Sequence, residues 1–335
     1  MTAVSHVESR QAADELVRTL RDLVGNVFAA TIPPGPVALV DFPDHSNVGD
    51  SAIWLGEMAW LRDHGRTPDY TAALKNFSAG DLQEAAPEGP ILIHGGGNFG
   101  TTWSRHEELR LSLLRQFPGR PIVQLPQSLY YDNDEAAREM ADAIRAHGAF
   151  TLLVRDARSR DLAERHFDCD IRLCPDAALR LGRFQRGQAK TDIFALLRTD
   201  HESVQDVMAA PADAISGDWL YESGTERNLM RARAKIESFL PASEQGKRLR
   251  RYQMLAHRRV QRGLAMLSQG RVVVTDRLHA HILSLLLDIP HVALDNSYGK
   301  LSAFARQWTA EYQGFHQAWT RAEAFQLART LLGKR

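Results

Sequence analysis

The 335-residue chain carries 41 basic and 41 acidic side chains, and a formal net charge of +0 gives it no chain-wide electrostatic grip on nucleic acid. Hydrophobic residues make up 44% and charged residues 24%, which excludes a disordered chain, and the length suits two domains. No apolar run approaches the roughly 18 residues needed to span a bilayer.

The nearest candidate, Ile282 to Leu287, stops at Asp288 and Pro290. The N-terminal segment from Met1 to Val17 has no apolar core behind a basic start, so it does not read as a secretory signal. The expected location is the cytoplasm. Two cysteines, Cys169 and Cys174, are too few for a disulfide framework. With neither a CxxC nor an HExxH spacing, no structural metal is expected.

Residues 7–29 read as an amphipathic helix, with Val7, Ala13, Leu16, Val17, Leu20, Leu23 and Val24 near helical spacing, and the Pro/Gly-rich segment 31–36 breaks it. Short apolar runs then alternate with polar or Gly-rich loops and helical stretches: Val37–Val40, Ile91–Ile93, Ile122–Leu125, Leu152–Val154 and Ile171–Leu173. Continuous apolar runs suit strands buried on both faces, and strand–helix–strand repetition predicts parallel sheets. Residues 182–190 turn polar and read as a linker. A second series follows, with strands at Ile193–Leu197, Arg271–Thr275 and His291–Leu294. Helices are predicted over 226–240, 247–268 and, as terminal helices, 301–333. The expected units are an N-terminal α/β domain (1–185), a C-terminal α/β domain (186–305) and a terminal helical segment (306–335), with a cleft between the two halves.

Ligands of parallel sheets bind beyond the carboxyl ends of the strands, so the loops after these runs are candidates. The first runs from Asp41 to Asp50. Asn47 and Gly49 suit a turn, and Asp50 or Ser51 can cap the following helix. It reads either as turn and cap chemistry or as an open helix N-terminus facing an anion, with Asp50 as a base. The second holds Gly95, Gly96, Gly97 and Asn98. Its glycines admit a ligand close to the backbone. The string also fits a dinucleotide fingerprint, but the next strand ends at Gln124–Gln127 without the acid that would hold a ribose. In the third, Arg155 reads either as a two-pronged anion ligand or as a structural partner of Asp156 or a cap. Pro175–Asp176 reads as a turn.

The sharpest loop follows Thr275. Asp276 stands where an N-cap belongs, and Arg277 and His279 fall in the first helical turn, where the positive dipole end disfavours cations unless an anion sits there. Phosphate is the natural guest. His281 points away from His279 and is not a candidate. Lys300, in the last loop, reads as a further charge for the same anion or as a solvated lysine. Between Gly246 and Thr275 no acid occurs, and Lys247, Arg248, Arg250, Arg251, Arg258, Arg259 and Arg262 crowd the first half. This run over 247–262 reads as a solvated helix face or as a patch for anionic lipid or a lipid-linked sugar diphosphate.

At these loops the sequence resembles the polysaccharide pyruvyl transferase family. The resemblance rests on residues 45–53, Gly95–Asn98, Gln127–Ser128, Arg155–Asp156 with Ser159, Pro175–Ala177, Arg277 with His279, and Gly299–Lys300, in family order over residues 37–305. Thr275 departs from the serine common before the Arg-x-His element. The resemblance implies two Rossmann-like parallel-sheet domains facing a cleft, similar to GT-B glycosyltransferases. It also implies transfer of a pyruvyl group from phosphoenolpyruvate to a sugar of a polysaccharide or its lipid-linked precursor, as a ketal, with release of phosphate. Arg277 and His279 match positions serving donor binding and catalysis.

The expected assignment is therefore His279, Arg277 and Asp50 as catalytic residues. Arg155, Asn47, Gly95, Gly96, Gly97, Asn98, Gln127, Ser128 and Lys300 are expected to bind substrate. No cofactor is expected beyond the phosphoenolpyruvate donor. A nucleotide-sugar glycosyltransferase of GT-B type and a non-catalytic sugar- or phosphate-binding protein remain alternatives.

Overall fold

Strand polarity is uniform: among the described residues every pair in both sheets is parallel. The computed structural model describes residues 3–198, 211–222, 224, 232, 242–295 and 299–333. The first sheet comprises β1 (Ala38–Phe42), β2 (Tyr70–Ala73), β3 (Ile91–Ile93), β4 (Gly96–Gly100), β5 (Ile122–Tyr130), β6 (Phe150–Val154) and β7 (Asp170–Leu173). Its order is β2-β1-β3-β5-β6-β7, with β4 also on β5. The second comprises β8 (Thr191–Leu196), β9 (Ala214–Ser216), β10 (Gly270–Thr275), β11 (His291–Leu294) and β12 (Phe315–Ala318), in the order β12-β11-β10-β8-β9. β1, β3 and β11 are buried at every position, which is why their runs are apolar without alternation.

The described helices are α1 (Ala3–Thr31), α2 (Val48–Asp63), α3 (Ala79–Ala85), α4 (Ser104–Gln116), α5 (Arg138–His147), α6 (Ala157–His166), α7 (Glu244–Leu267), α8 (Leu278–Leu287), α9 (Lys300–Trp308) and α10 (Arg321–Gly333). α1 buries Ala13, Val17, Leu20 and Val24 of the expected stripe, together with Phe28, while Leu16 and Leu23 are half-buried. α2 is buried all round from Ser51 to Leu61, because it lies between the two sheets against α7, α8 and the 3-10 turn Ala177–Leu181.

Four strands escaped the sequence reading. β2 and β9 are short edge strands, and β4 is glycine-rich. β12 lies inside the stretch expected to be terminal helices. Residues 306–335 are therefore not a separate helical segment: β12 pairs with β11, and α10 packs on β10 and β11. The helix expected over 226–240 falls, Ala232 apart, outside the described residues.

Part of the basic run does not face solvent. Arg248 donates to the Thr71 carbonyl, buried Arg259 to the Pro43 carbonyl and Arg262 to the Ser46 carbonyl. These guanidinium groups turn inward and tie α7 to the loops of the first sheet. Tyr252 adds a stack on Phe42 at 3.9 Å between ring centroids.

Within the second sheet's core, His281 Nδ1 lies 2.7 Å from His291 Nε2, and His281 Nε2 lies 2.8 Å from the Thr309 hydroxyl. Burial pushes the His291 ring down to about 4 and the His281 ring below its ordinary range. The unfolded chain then binds more protons below about pH 6.5, so stability falls as pH drops from there towards 4. His291 alone corresponds to about 2 kcal/mol between pH 7 and pH 5. Urea unfolding at the two pH values checks this; equal free energies would contradict it.

Candidate functional site

The carboxyl ends of β1, β3, β6, β8 and β10 open onto one cavity of about 510 Å³. From the first sheet it is lined by Asp41, His45, Asn47, Asp50, His94, Gly97, Asn98, Trp103, His106 and Arg155, and from the second by Arg198, Trp219, Asp276, Arg277, Leu278, His279 and Lys300. Loops from both sheets thus form its walls.

The second-sheet wall is an open helix start. Arg277, not Asp276, is the N-cap of α8, and it offers no side-chain cap. Thr275 Oγ1 accepts the Arg277 amide and donates to the Leu196 carbonyl, which fixes the turn. Asp276 instead accepts the Arg198 amide at 2.8 Å, and burial raises its carboxyl above the usual range. The Arg277 guanidinium lies over Trp219 and 3.3 Å from Asp218. An uncapped helix start beside arginine is a site for an anion.

The first-sheet wall brings further cations to it. Arg155 is 3% exposed. Its Nη1 lies 2.6 Å from Asp176, and its Nε donates to Ser128 at 2.9 Å. Its partner is thus Asp176. Asp156 caps α6 through the Ser159 amide and accepts from Ser128. A Cβ at Gly97 would stand 3.2 Å from Arg155 Nη2 and 3.6 Å from Lys300 Nζ, so glycine there leaves room for two cations to converge.

Asp176 is fully buried and lies 3.3 Å from His279 Nε2. Burial would raise its carboxyl, but the His279 ring and the Arg155 guanidinium outweigh this and hold it well below the usual carboxylate range. Asp50 accepts from Asn47 Nδ2 at 2.8 Å and lies 3.6 Å from His45 Nε2. Burial works upward there too, yet His45, His279, His94 and Arg155 pull this carboxyl down. Asn47, rather than Asp50 or Ser51, caps α2 by accepting the Gly49 amide.

Beneath the cavity, Glu57 accepts the Gly95 amide and meets His94 Nδ1, each at 2.8 Å. Burial would lower the His94 ring, but the Glu57 carboxylate outweighs it and raises it. His94 Nε2 is buried at the cavity wall without a hydrogen-bond partner among the described residues.

His279, Arg277, Asp50, Arg155, Asn47, Gly95, Gly97, Asn98 and Lys300 are brought together around this cavity. Gly96, Gln127 and Ser128 do not line it. Gln127 holds Asn98 from behind, donating to its Oδ1 at 2.8 Å, and Ser128 holds Arg155. The reading of Asp176 as a turn misses its pairing role. His94, Glu57, Asp41, His106 and Trp103 received no role at all. Glu57 had a signal, as a carboxylate in the apolar middle of a helix needs a buried partner. His106 had none, because its partner Asp41 lies 65 residues away.

A sequence model of the polysaccharide pyruvyl transferase family matches residues 47–298. Over 290 residues the chain is 32% identical to pyruvyl transferase 1 of Schizosaccharomyces pombe, across 81% of this chain and 69% of that one. It is 29% identical over 282 residues to a Bacillus subtilis protein provisionally named pyruvyl transferase EpsO, across 81% of this chain and 85% of the relative. The crystal structure of a functionally uncharacterised protein from Klebsiella pneumoniae superimposes with a TM-score of 0.61 over 89% of this chain and 98% of that one. At 16% identity this likeness concerns the fold alone.

Proposed function

Because the chain belongs to the polysaccharide pyruvyl transferase family, we propose that it takes phosphoenolpyruvate as donor and joins the pyruvyl group to a sugar as a cyclic ketal. Phosphate is released, and the acceptor is a polysaccharide or its lipid-linked precursor. We read the two sheets as a GT-B-like pair closing on the donor. The donor supplies the reactive group itself, so the chemistry calls for no separate cofactor. This reading puts the protein in the cytoplasm, where phosphoenolpyruvate is made.

The observation that carries the reading is the convergence of Arg155, Arg277, Lys300 and the uncapped start of α8 on one cavity. Phosphoenolpyruvate bears a phosphate and a carboxylate, so it needs several cations and donors. Arg277, the α8 amides and Lys300 suit the phosphate, and Arg155 with the His94 ring suits the carboxylate. His279 delivers a proton to the methylene carbon, and the enol carbon becomes cation-like. A sugar hydroxyl bonds to that carbon, the carbon–phosphate oxygen bond breaks, and a second hydroxyl closes the ketal. Preorganised donors stabilise the departing phosphate as its charge grows. Asp50, pulled down by His45, His279, His94 and Arg155 against the upward pull of burial, faces the same cavity as a carboxylate.

The test is thermal shift and calorimetry with phosphoenolpyruvate, followed by phosphate release in the presence of a panel of soluble glycans. Arg277→Ala is expected to weaken donor binding by about 2–5 kcal/mol, because a charged partner is lost at a desolvated site. Wild-type donor affinity in that variant would remove Arg277 from the phosphate site. A parent protein that binds no phosphoenolpyruvate would overturn the donor.

A further inference from the structure

We propose that His106, held by Asp41, takes the proton from the attacking sugar hydroxyl, and that Trp103 beside it forms the platform for that sugar. The assignment deepens the pyruvyl-transfer reading and rests on it.

Asp41, next to last in β1, has φ +69, a left-handed conformation that a non-glycine residue adopts at a cost. It is also buried. Strain of this kind persists where the surroundings over-determine it, and it clusters at functional sites. Both Asp41 carboxylate oxygens reach His106 Nδ1, at 3.0 and 2.8 Å. Asn98 Nδ2 also lies 3.1 Å from Nδ1, but the two carboxylate oxygens are nearer and only accept, so Nδ1 carries the hydrogen and Nε2 keeps its lone pair.

The pair is braced from behind. Asn98 Nδ2 donates to Asp41 at 3.3 Å, and Asn98 Oδ1 accepts from Gln127 and from the buried guanidinium of Arg110. Arg110 in turn donates to Gln124 at 2.7 Å and lies over the Phe99 ring. A polar network this deep is retained only when its members are satisfied, and it fixes one orientation of the imidazole.

His106 and Trp103 border the same cavity as His279 and the cationic cluster. Trp103 meets His106 edge-on at 6.5 Å between ring centroids, and the residue is 43% exposed. An exposed indole face beside a proton acceptor suits a sugar, whose ring stacks through its C–H face while its hydroxyls reach outward.

The steps balance. His279 gives its proton to the methylene carbon. The first sugar O–H breaks, its oxygen bonds the enol carbon and its proton goes to His106 Nε2. Phosphate then leaves with the electron pair of its bond to that carbon. The second hydroxyl bonds there, and its proton leaves on the phosphate.

The experiment measures donor binding by calorimetry with phosphoenolpyruvate alone, and turnover as phosphate release with a soluble glycan acceptor. His106→Ala should lose about 10²–10⁴-fold in kcat at unchanged donor affinity, and added imidazole should restore part of it. His106→Gln, which keeps the bulk, should show the same loss without rescue. Asp41→Asn should lower kcat with the donor Kd unmoved. Trp103→Ala should raise the acceptor KM. His106→Ala with wild-type kcat, or a loss that imidazole does not relieve, would overturn the assignment. A wild-type chain that binds no phosphoenolpyruvate would fell the underlying reading instead, and that result is read without any acceptor.

Discussion

Arg155→Ala is expected to lower folding stability by about 3–5 kcal/mol and to abolish tight donor binding. The guanidinium is 3% exposed and pairs at 2.6 Å with a carboxylate that is itself fully buried. Removing one member of such a pair leaves the other desolvated and charged, which costs more than the pair's net contribution. The Ala178 amide and the His279 ring would remain on Asp176, at 2.9 and 3.3 Å, and neither replaces a guanidinium. Urea unfolding measures the first effect and calorimetry with phosphoenolpyruvate the second. The double variant Arg155→Ala/Asp176→Ala should recover part of the stability and none of the binding. Undiminished stability in the single variant would show that Asp176 finds another partner.

Gly49→Ala should depress kcat by about 10²-fold or more while the protein stays folded. A Cβ at this position would stand 2.3 Å from His279 Nδ1, far inside van der Waals contact, so the ring must leave its place. Alanine favours a helix by about 1 kcal/mol over glycine, so intrinsic propensity does not predict unfolding here. The loss is one of placement: His279 rides on the second sheet, but its seat is the first turn of α2. Phosphate release and Tm read the two effects separately. Wild-type turnover in this variant would mean that the ring has room to shift without harm.

Much of the fold was legible because it follows from local rules. Apolar runs without alternation marked β1, β3, β5, β6, β8, β10 and β11 as strands of parallel sheets. The same rules failed for β4, whose glycines carry no side chains to pattern, and for β12, whose four residues lie within a helical composition. At the site, the local conflict at Arg277 and His279 was readable: two donor or cationic groups at a positive helix start call for an anion. The cap itself was misplaced by one residue, because Asp276 is spent on the Arg198 amide of the neighbouring strand's loop. Nothing in the chain near residue 276 announces that partner.

The sequence by itself determined that strands would be parallel and buried, that chemistry would gather in the loops at their carboxyl ends, and which loops would bring cations. Only the tertiary structure decided who pairs with whom: Asp176 with Arg155 and His279, Glu57 with His94, Asp41 with His106, and the arginines of α7 with carbonyls of the first sheet. The physical reason is range. Periodicity and capping are set within a few residues, whereas a buried charge takes whichever partner the packing of α2 between two sheets presses against it.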